Sequence, residues 1–239
     1  MISPNFSFEK RLWALDFKYI AGLDEAGRGA FAGPIVCGCV VFTAQKKPRN
    51  EELKKLKIRV DDSKKLTKLQ RERAYKWIKK NALGWGVGVG QTSEINRKGI
   101  SKATASGFRR AIADANNRLT SRIDYLLIDA FYIPYIRGIH MPRNKQRKDR
   151  KSGKIKNRSQ QLAIIHGDAR SFSIAAASII AKVYRDRLME KLSQQPGYKK
   201  YHWEQNKGYG TEFHQKAIKK YGTTRQHRKK FVESFLSRS

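Results

Sequence analysis

Acidic side chains are scarce in this chain, 20 against 52 lysines and arginines among 239 residues, so a carboxylate at the end of an apolar run needs a physical reason. Four such positions stand out. Asp24 and Glu25 close the run Tyr19-Ile20-Ala21-Gly22-Leu23 and open the turn Gly27-Arg28-Gly29. Asp129 closes Leu126-Leu127-Ile128, and Asp168 follows Leu162-Ala163-Ile164-Ile165 within His166-Gly167-Asp168. A buried carboxylate is costly unless cations, protons or hydrogen bonds neutralise it. Helix capping would account for Asp168, and local pairing with Arg28 or Lys64 for the others; either account serves one site and serves all four poorly. If the strand ends converge, oxygen ligands of this kind suit Mg²⁺ or Mn²⁺ rather than zinc. Two such ions about 4 Å apart can activate water and stabilise the leaving oxygen of a phosphodiester. No zinc-like spacing competes, because His140, His166, His202, His214 and His227 are scattered.

Charge narrows the choice of partner. The balance 52 − 20 gives +32, far beyond what solubility asks of a small domain, and points to a polyanion, with nucleic acid first. The 39% hydrophobic and 10% aromatic content still supports a core, so the charge sits on a folded surface. A basic surface holding nucleic acid over an acidic pocket is a nuclease. The second reading is a basic nucleic-acid-binding protein without catalysis, and a hydrolysis assay separates the two. Other chemistry finds little support. Gly86, Gly88 and Gly90 alternate inside a strand-like run instead of opening a helix, no phosphate-cradling Gly-Lys-Ser/Thr loop occurs, and Ser63, Ser173 and Ser178 lack a His and Asp constellation. The longest apolar stretch, 29–44, falls short of the about 20 residues a membrane span needs, and no leader pattern precedes the first motif. Cys37 and Cys39, two apart in a strand, read as core thiols of a reducing cytoplasm.

Periodicity then supplies the elements that must position the acids. Strands are expected over 19–24, 35–42, 83–91 and 123–130, with a shorter buried one over 162–165. The 83–91 run alternates Gly with large apolar residues, leaving one bare face against which something can pack closely. Thr67 can cap a helix to Asn81 with an apolar stripe of Leu69, Ala74, Trp77 and Ile78; further helices fit 102–118 and 172–192. The order predicts an α/β protein with a mixed sheet and helices on its faces, residues 1–192, followed by a helical, basic and aromatic lobe, 193–239. Adjacent Asp24 and Glu25 point to opposite faces of a regular strand, so both can serve one site only if the chain bends there or a backbone carbonyl substitutes. Between residues 138 and 160 stand nine lysines and arginines and one acid, Asp149; the run reads as a solvated inserted loop whose sign also suits phosphate contacts.

The strings Ala21-Gly22-Leu23-Asp24-Glu25-Ala26-Gly27-Arg28-Gly29, Asp62-Ser63-Lys64-Lys65-Leu66, Leu127-Ile128-Asp129-Ala130, Gly167-Asp168 before Ser173-Ile174-Ala175-Ala176-Ala177-Ser178, and Asn206-Lys207-Gly208-Tyr209-Gly210-Thr211 with His214 and His227-Arg228 closely resemble ribonuclease HII. The likeness runs in order from about Tyr19 to Phe231 and is closer to the bacterial type II than the type III enzyme. The resemblance implies an RNase H-like fold with a five-stranded mixed sheet and a C-terminal substrate-gripping lobe. It further implies cleavage of RNA in RNA/DNA hybrids and 5′ of ribonucleotides embedded in duplex DNA, leaving 5′-phosphate and 3′-hydroxyl. The same resemblance assigns two divalent ions, Mg²⁺ or Mn²⁺, to Asp24, Glu25, Asp129 and Asp168. Asp186, the rival for the fourth place, is read as an ion-pair partner on the long helix. Tyr209 resembles the family's tyrosine that stacks on the ribose and reads its 2′-hydroxyl, while Gly27, Arg28, Gly29, Ser63, Lys64 and Lys182 are expected to meet substrate. A cytoplasmic monomer without membrane contact completes the expectation. The basic insertion is longer than is usual in the family.

Overall fold

The computed structural model describes residues 3–136, 139 and 160–237, so nearly all of the 138–160 basic segment lies outside the described residues. Five strands build one sheet in the order β3-β2-β1-β4-β5: β1 Ile20–Ala26, β2 Ile35–Phe42, β3 Gly84–Gly90, β4 Tyr125–Asp129 and β5 Gln161–Ile164. The first three pair antiparallel, whereas β4 and β5 join β1 in parallel. The helices are α1 Ser7–Trp13, α2 Asn50–Lys55, α3 Lys68–Asn81, α4 Thr92–Lys98, α5 Ile100–Asn116, α6 Phe172–Ser193, α7 Trp203–Asn206, α8 Glu212–Tyr221 and α9 Lys229–Leu236.

Glycines set how closely the two main helices approach the sheet. A Cβ on Gly88 would lie 1.9 Å from the Gly107 carbonyl oxygen, and one on Gly86 2.2 Å from that of Ala111, so the bare face of β3 is where α5 lies. On the opposite face, a Cβ on Gly22 would meet the Ser173 backbone at 2.1 Å and one on Gly38 the Ala177 carbonyl at 2.3 Å. The small residues of Ala175-Ala176-Ala177 thus bring α6 against β1 and β2. Two apolar layers result, one from α3 and α6 with Val40 and Phe42, the other from α5 with Leu23, Cys39 and Ile128.

Thr67 caps α3 as its sequence predicts, with Gln70 returning the bond to the Thr67 amide. Leu69 departs from the expected stripe and is 62% exposed, because the first turn of α3 extends beyond the body it packs on. The last strand also differs: β5 is an edge strand with Leu162 and Ala163 exposed, since no element covers that side of it among the described residues. Beyond α6, Tyr198, Tyr201, Trp203, Ile218 and Val232 form a further cluster that also takes in Ala32 and Met189. Cys37 and Cys39 are buried free thiols. No helix among the described residues is long and apolar enough to cross a membrane.

Candidate active site

The sheet delivers three of the four acids to one place. In the parallel pairing Leu23 lies opposite Ile128, so the next residues, Asp24 and Asp129, leave neighbouring strands side by side. After β5, His166 takes a left-handed conformation and a single helical turn, Gly167–Ala169, lifts Asp168 over the end of β4. The Gly167 amide donates to Asp129 Oδ1 at 2.7 Å, and a side chain there would press into Ile174 and Asp129. Each of Asp24, Asp129 and Asp168 offers a carboxylate oxygen within 4.8 Å of the others. Capping does not explain Asp168, because Ser171 caps α6.

Glu25 stands slightly apart. Strand β1 stays paired through Ala26, opposite Val36, so of the two conditions for a shared site the bend at Asp24-Glu25 is not met; the chain turns only at Gly27, with φ +91°. Because the acids lie at the strand's last residues, the two faces open onto one cleft and no bend is needed. The Glu25 carboxylate falls outside the close trio and meets Arg28 at 3.3 Å through Oε1. Its Oε2 is buried without a hydrogen-bond partner among the described residues.

The cleft above these acids measures about 510 Å³ and is bordered by Gly27, Arg28, Gly29, Ser63, Lys64, Lys182 and Tyr209, so every residue expected to meet substrate reaches it. Ser63 and Lys64 sit on a short turn, Ser63–Lys65, fixed by the Asp62 side chain accepting from the Lys64 amide and by the Ser63 amide donating to Ser178 Oγ of α6. Lys182 pairs with Asp186 at 2.7 Å, so Asp186 is an ion-pair partner on α6, although both side chains are mostly covered. Tyr209 is half-buried, its ring beside the Arg185 guanidinium at 5.2 Å.

Electrostatics mark the cluster as uncompensated. Burial, then the charges of Glu25 and Asp129, pushes Asp24 well above the usual carboxylate range. Burial, Asp62 and Asp129 raise Asp168 to about 6. Burial also raises Glu25, against the opposing pull of Arg28. Burial alone would lower Lys64, yet Asp62, Asp168, Asp24 and Asp129 together raise it. Clustered, desolvated carboxylates with an orphaned Glu25 oxygen form an all-oxygen donor set that fits a hard divalent cation.

Sequence reasoning missed three contributors. Asp62 approaches Asp168 only because its turn docks on α6, although it heads the Asp62-Ser63-Lys64 string. Arg185 and Arg228 are fully buried and donate to the backbone rather than to a carboxylate. Arg228 holds the Arg28 and Gly33 carbonyls, and Arg185 those of Ala32, Pro34 and Lys207. They tie the Gly-Arg-Gly turn to the C-terminal helices. The available signal was Arg185 in a helix rich in apolar residues and Arg228 in the His227-Arg228 pair.

A mixed sheet of this order with an acidic cleft at its end defines the ribonuclease H class of nucleases. In keeping with that, the crystal structure of the ribonuclease H2 from Pyrococcus horikoshii OT3 superposes with a TM-score of 0.59 at 26% identity, covering 92% of this chain and 98% of that one. The family model for ribonuclease HII matches residues 21–234. The ribonuclease HII of Chloroflexus aggregans is 41% identical over 230 residues, 96% of this chain and 94% of that protein. That of Caldanaerobacter subterraneus is 38% identical over 229 residues, 96% and 80% of the two chains. The chain belongs to the ribonuclease HII family. Its activity is therefore that of a ribonuclease H, a nuclease acting on RNA/DNA hybrids.

Proposed function

We propose that the chain cuts RNA/DNA hybrids and, in duplex DNA, the bond 5′ of an embedded ribonucleotide, leaving 5′-phosphate and 3′-hydroxyl ends. The observation that carries this reading is the meeting of Asp24, Asp129 and Asp168 beneath a cleft walled by Arg28, Lys64 and Tyr209. Asp24, Glu25, Asp129 and Asp168 would hold two divalent ions, Mg²⁺ or Mn²⁺. Such ions, when bound, supply the Lewis acidity that activates water and stabilises the departing oxygen. The chain's own groups bind and orient the substrate. Gly29, beside which an added Cβ would meet nothing within 4 Å, leaves room for a sugar to approach the backbone of the 27–29 turn, where a 2′-hydroxyl can be told from hydrogen. Tyr209 offers a ring face to that sugar, and its flanking glycines let the backbone pack closely on Ala32 and Phe31. Arg28 and Lys64 lie at the rim, exposed and positioned for phosphates. Lys182 joins them through an ammonium shared with Asp186.

Residues 193–239, with eleven lysines and arginines against three acids, act as the lobe that grips the duplex. Of their aromatic residues, Tyr198, Tyr201 and Trp203 are core, Phe213 and Tyr221 are exposed, and Tyr209 lines the cleft. The protein acts as a cytoplasmic monomer. The decisive variant is Asp129→Asn: it is expected to stay folded and bind a hybrid as the wild type does, while cleavage in Mg²⁺ or Mn²⁺ drops by at least about a thousandfold. A wild-type protein that never cleaves in either metal would leave only the non-catalytic binder.

A further inference from the structure

Behind Tyr209 lies a second cluster of ring nitrogens, away from the carboxylates. Trp203 of α7, His214 of α8 and His227, just before α9, are buried to within 1% of full coverage. Their hydrogen bonds admit one arrangement of protons. The Thr224 amide donates to His227 Nδ1 at 2.9 Å, so that nitrogen is bare and the His227 proton is on Nε2, 3.2 Å from His214 Nε2. Trp203 Nε1, a donor only, also points to His214 Nε2, at 3.1 Å. His214 therefore carries its proton on Nδ1, which donates to the Tyr209 carbonyl at 2.9 Å. Burial keeps both imidazoles below the usual histidine range, with His227, also facing His214, lowered to about 4. Both rings are neutral near pH 7, as that chain of donors requires.

That proton chain ends on the Tyr209 backbone, whose amide donates to the Asn206 carbonyl at 2.9 Å and whose carbonyl accepts from both the Thr211 amide, at 2.8 Å, and His214 Nδ1, the one side chain among the described residues that holds it. Its neighbours are Gly208, with φ +78°, and Gly210, and its ring, beside the Arg185 guanidinium, is half-exposed on the cleft wall. We infer that His214 is a positioning residue for Tyr209, and that His227 and Trp203 hold His214 in the one tautomer able to donate to the Tyr209 carbonyl. The inference rests on the reading of Tyr209 as the residue that meets the ribonucleotide. It assigns the buried imidazole pair a part in selectivity for ribose, one step removed from the substrate.

Two near-isosteric variants separate positioning from packing. His214→Asn places an amide nitrogen close to Nδ1 and keeps the donor, whereas His214→Gln places it near Nε2 and loses the donor to Tyr209. Rates are measured on a duplex with one embedded ribonucleotide and on a continuous hybrid, in the wild-type and Tyr209→Ala backgrounds, with the thermal midpoint recorded for each. His214→Gln is expected to lose about tenfold in kcat/KM on the single-ribonucleotide duplex, the scale on which a misplaced binding group costs rate. His214→Asn should stay within about threefold of wild type, and His214→Gln should add nothing once Tyr209 is alanine. Equal losses in the two His214 variants, or a His214→Gln loss that persists in Tyr209→Ala, would overturn the inference while leaving Tyr209 in its role. Unchanged rates in Tyr209→Ala itself would overturn that role and the inference with it. If either His214 variant lacks a cooperative melt, His227→Gln, which keeps a donor at Nε2, against His227→Asn, which does not, poses the same question: only the Asn variant should lose selectivity, and equal losses refute it.

Discussion

A carboxylate placed among other carboxylates is a liability until a cation arrives, and that sets the balance at Asp24 and Asp168. Both are raised, by burial first and then by neighbouring negative charge, Asp168 to about 6 from an ordinary 3.8. A raised acid binds protons more tightly in the folded chain than in the unfolded one. Its favourable contribution is therefore complete below about pH 3.8 and is lost as pH climbs through about 6. With a chelator present, the thermal midpoint is expected to fall across that interval, and Asp24→Asn, which removes one charge, to raise it by a few degrees above about pH 7 while abolishing cleavage. Added Mg²⁺ should then stabilise the wild type more than the variant. A chelated Asp24→Asn protein that melts at or below the wild-type temperature would show that the cluster stores no net repulsion. The acids themselves were legible in the sequence, because strand-end carboxylates in a basic chain have few bland explanations. So was the Arg28 pairing of Glu25, a contact three residues apart, whereas the approach of Asp62 to Asp168 was not, since it depends on where a turn docks in three dimensions.

Elements position those residues through the closeness of α5 and α6 to the sheet, and here glycine content was a faithful guide. The alternation in β3 foretold a bare face, and α5 occupies it with main-chain contacts that leave no volume for a methyl group. Gly88→Ala, whose Cβ would sit 1.9 Å from one carbonyl oxygen and 2.5 Å from the Ala111 amide nitrogen, is expected to cost about 3 kcal/mol in denaturant unfolding, because backbone on both sides must shift. Gly29→Ala, facing open space, should cost no more than about 0.5 kcal/mol yet slow cleavage, since the added methyl group enters the cleft. A Gly88→Ala protein as stable as the wild type would mean that α5 can move out freely. Amphipathic spacing was less dependable at element ends: Leu69 satisfies the α3 pattern but lies on a turn that leaves it exposed, and β5 reads as apolar yet forms an edge. Burial there is decided by what packs alongside, which local pattern does not encode.

At the scale of the whole molecule, the +32 charge and the acidic cleft serve opposite ends of one task, long-range capture of a polyanion and local concentration of cations. The residues at 185 and 228 join the two, because buried guanidiniums that donate to the 28–34 backbone link the C-terminal helices to the turn beside the acids. Affinity and chemistry should accordingly separate. Residues 143–158 contain nine of the basic side chains and Asp149, so deleting them lowers the net charge by 9 − 1 = 8, from +32 to +24. Each phosphate left without its basic side chain reduces the slope of log affinity against log salt by about one, whereas the carboxylates on β1, β4 and the Gly167–Ala169 turn are untouched. The deleted protein is expected to bind a hybrid more weakly at low salt, with a slope shallower by about one to three, and to keep its kcat at saturating substrate within about twofold. Binding titrations across a salt series and a saturating cleavage assay check both halves. An unchanged slope would leave the segment as a spacer, and a collapse of kcat would mean that it takes part in forming the cleft.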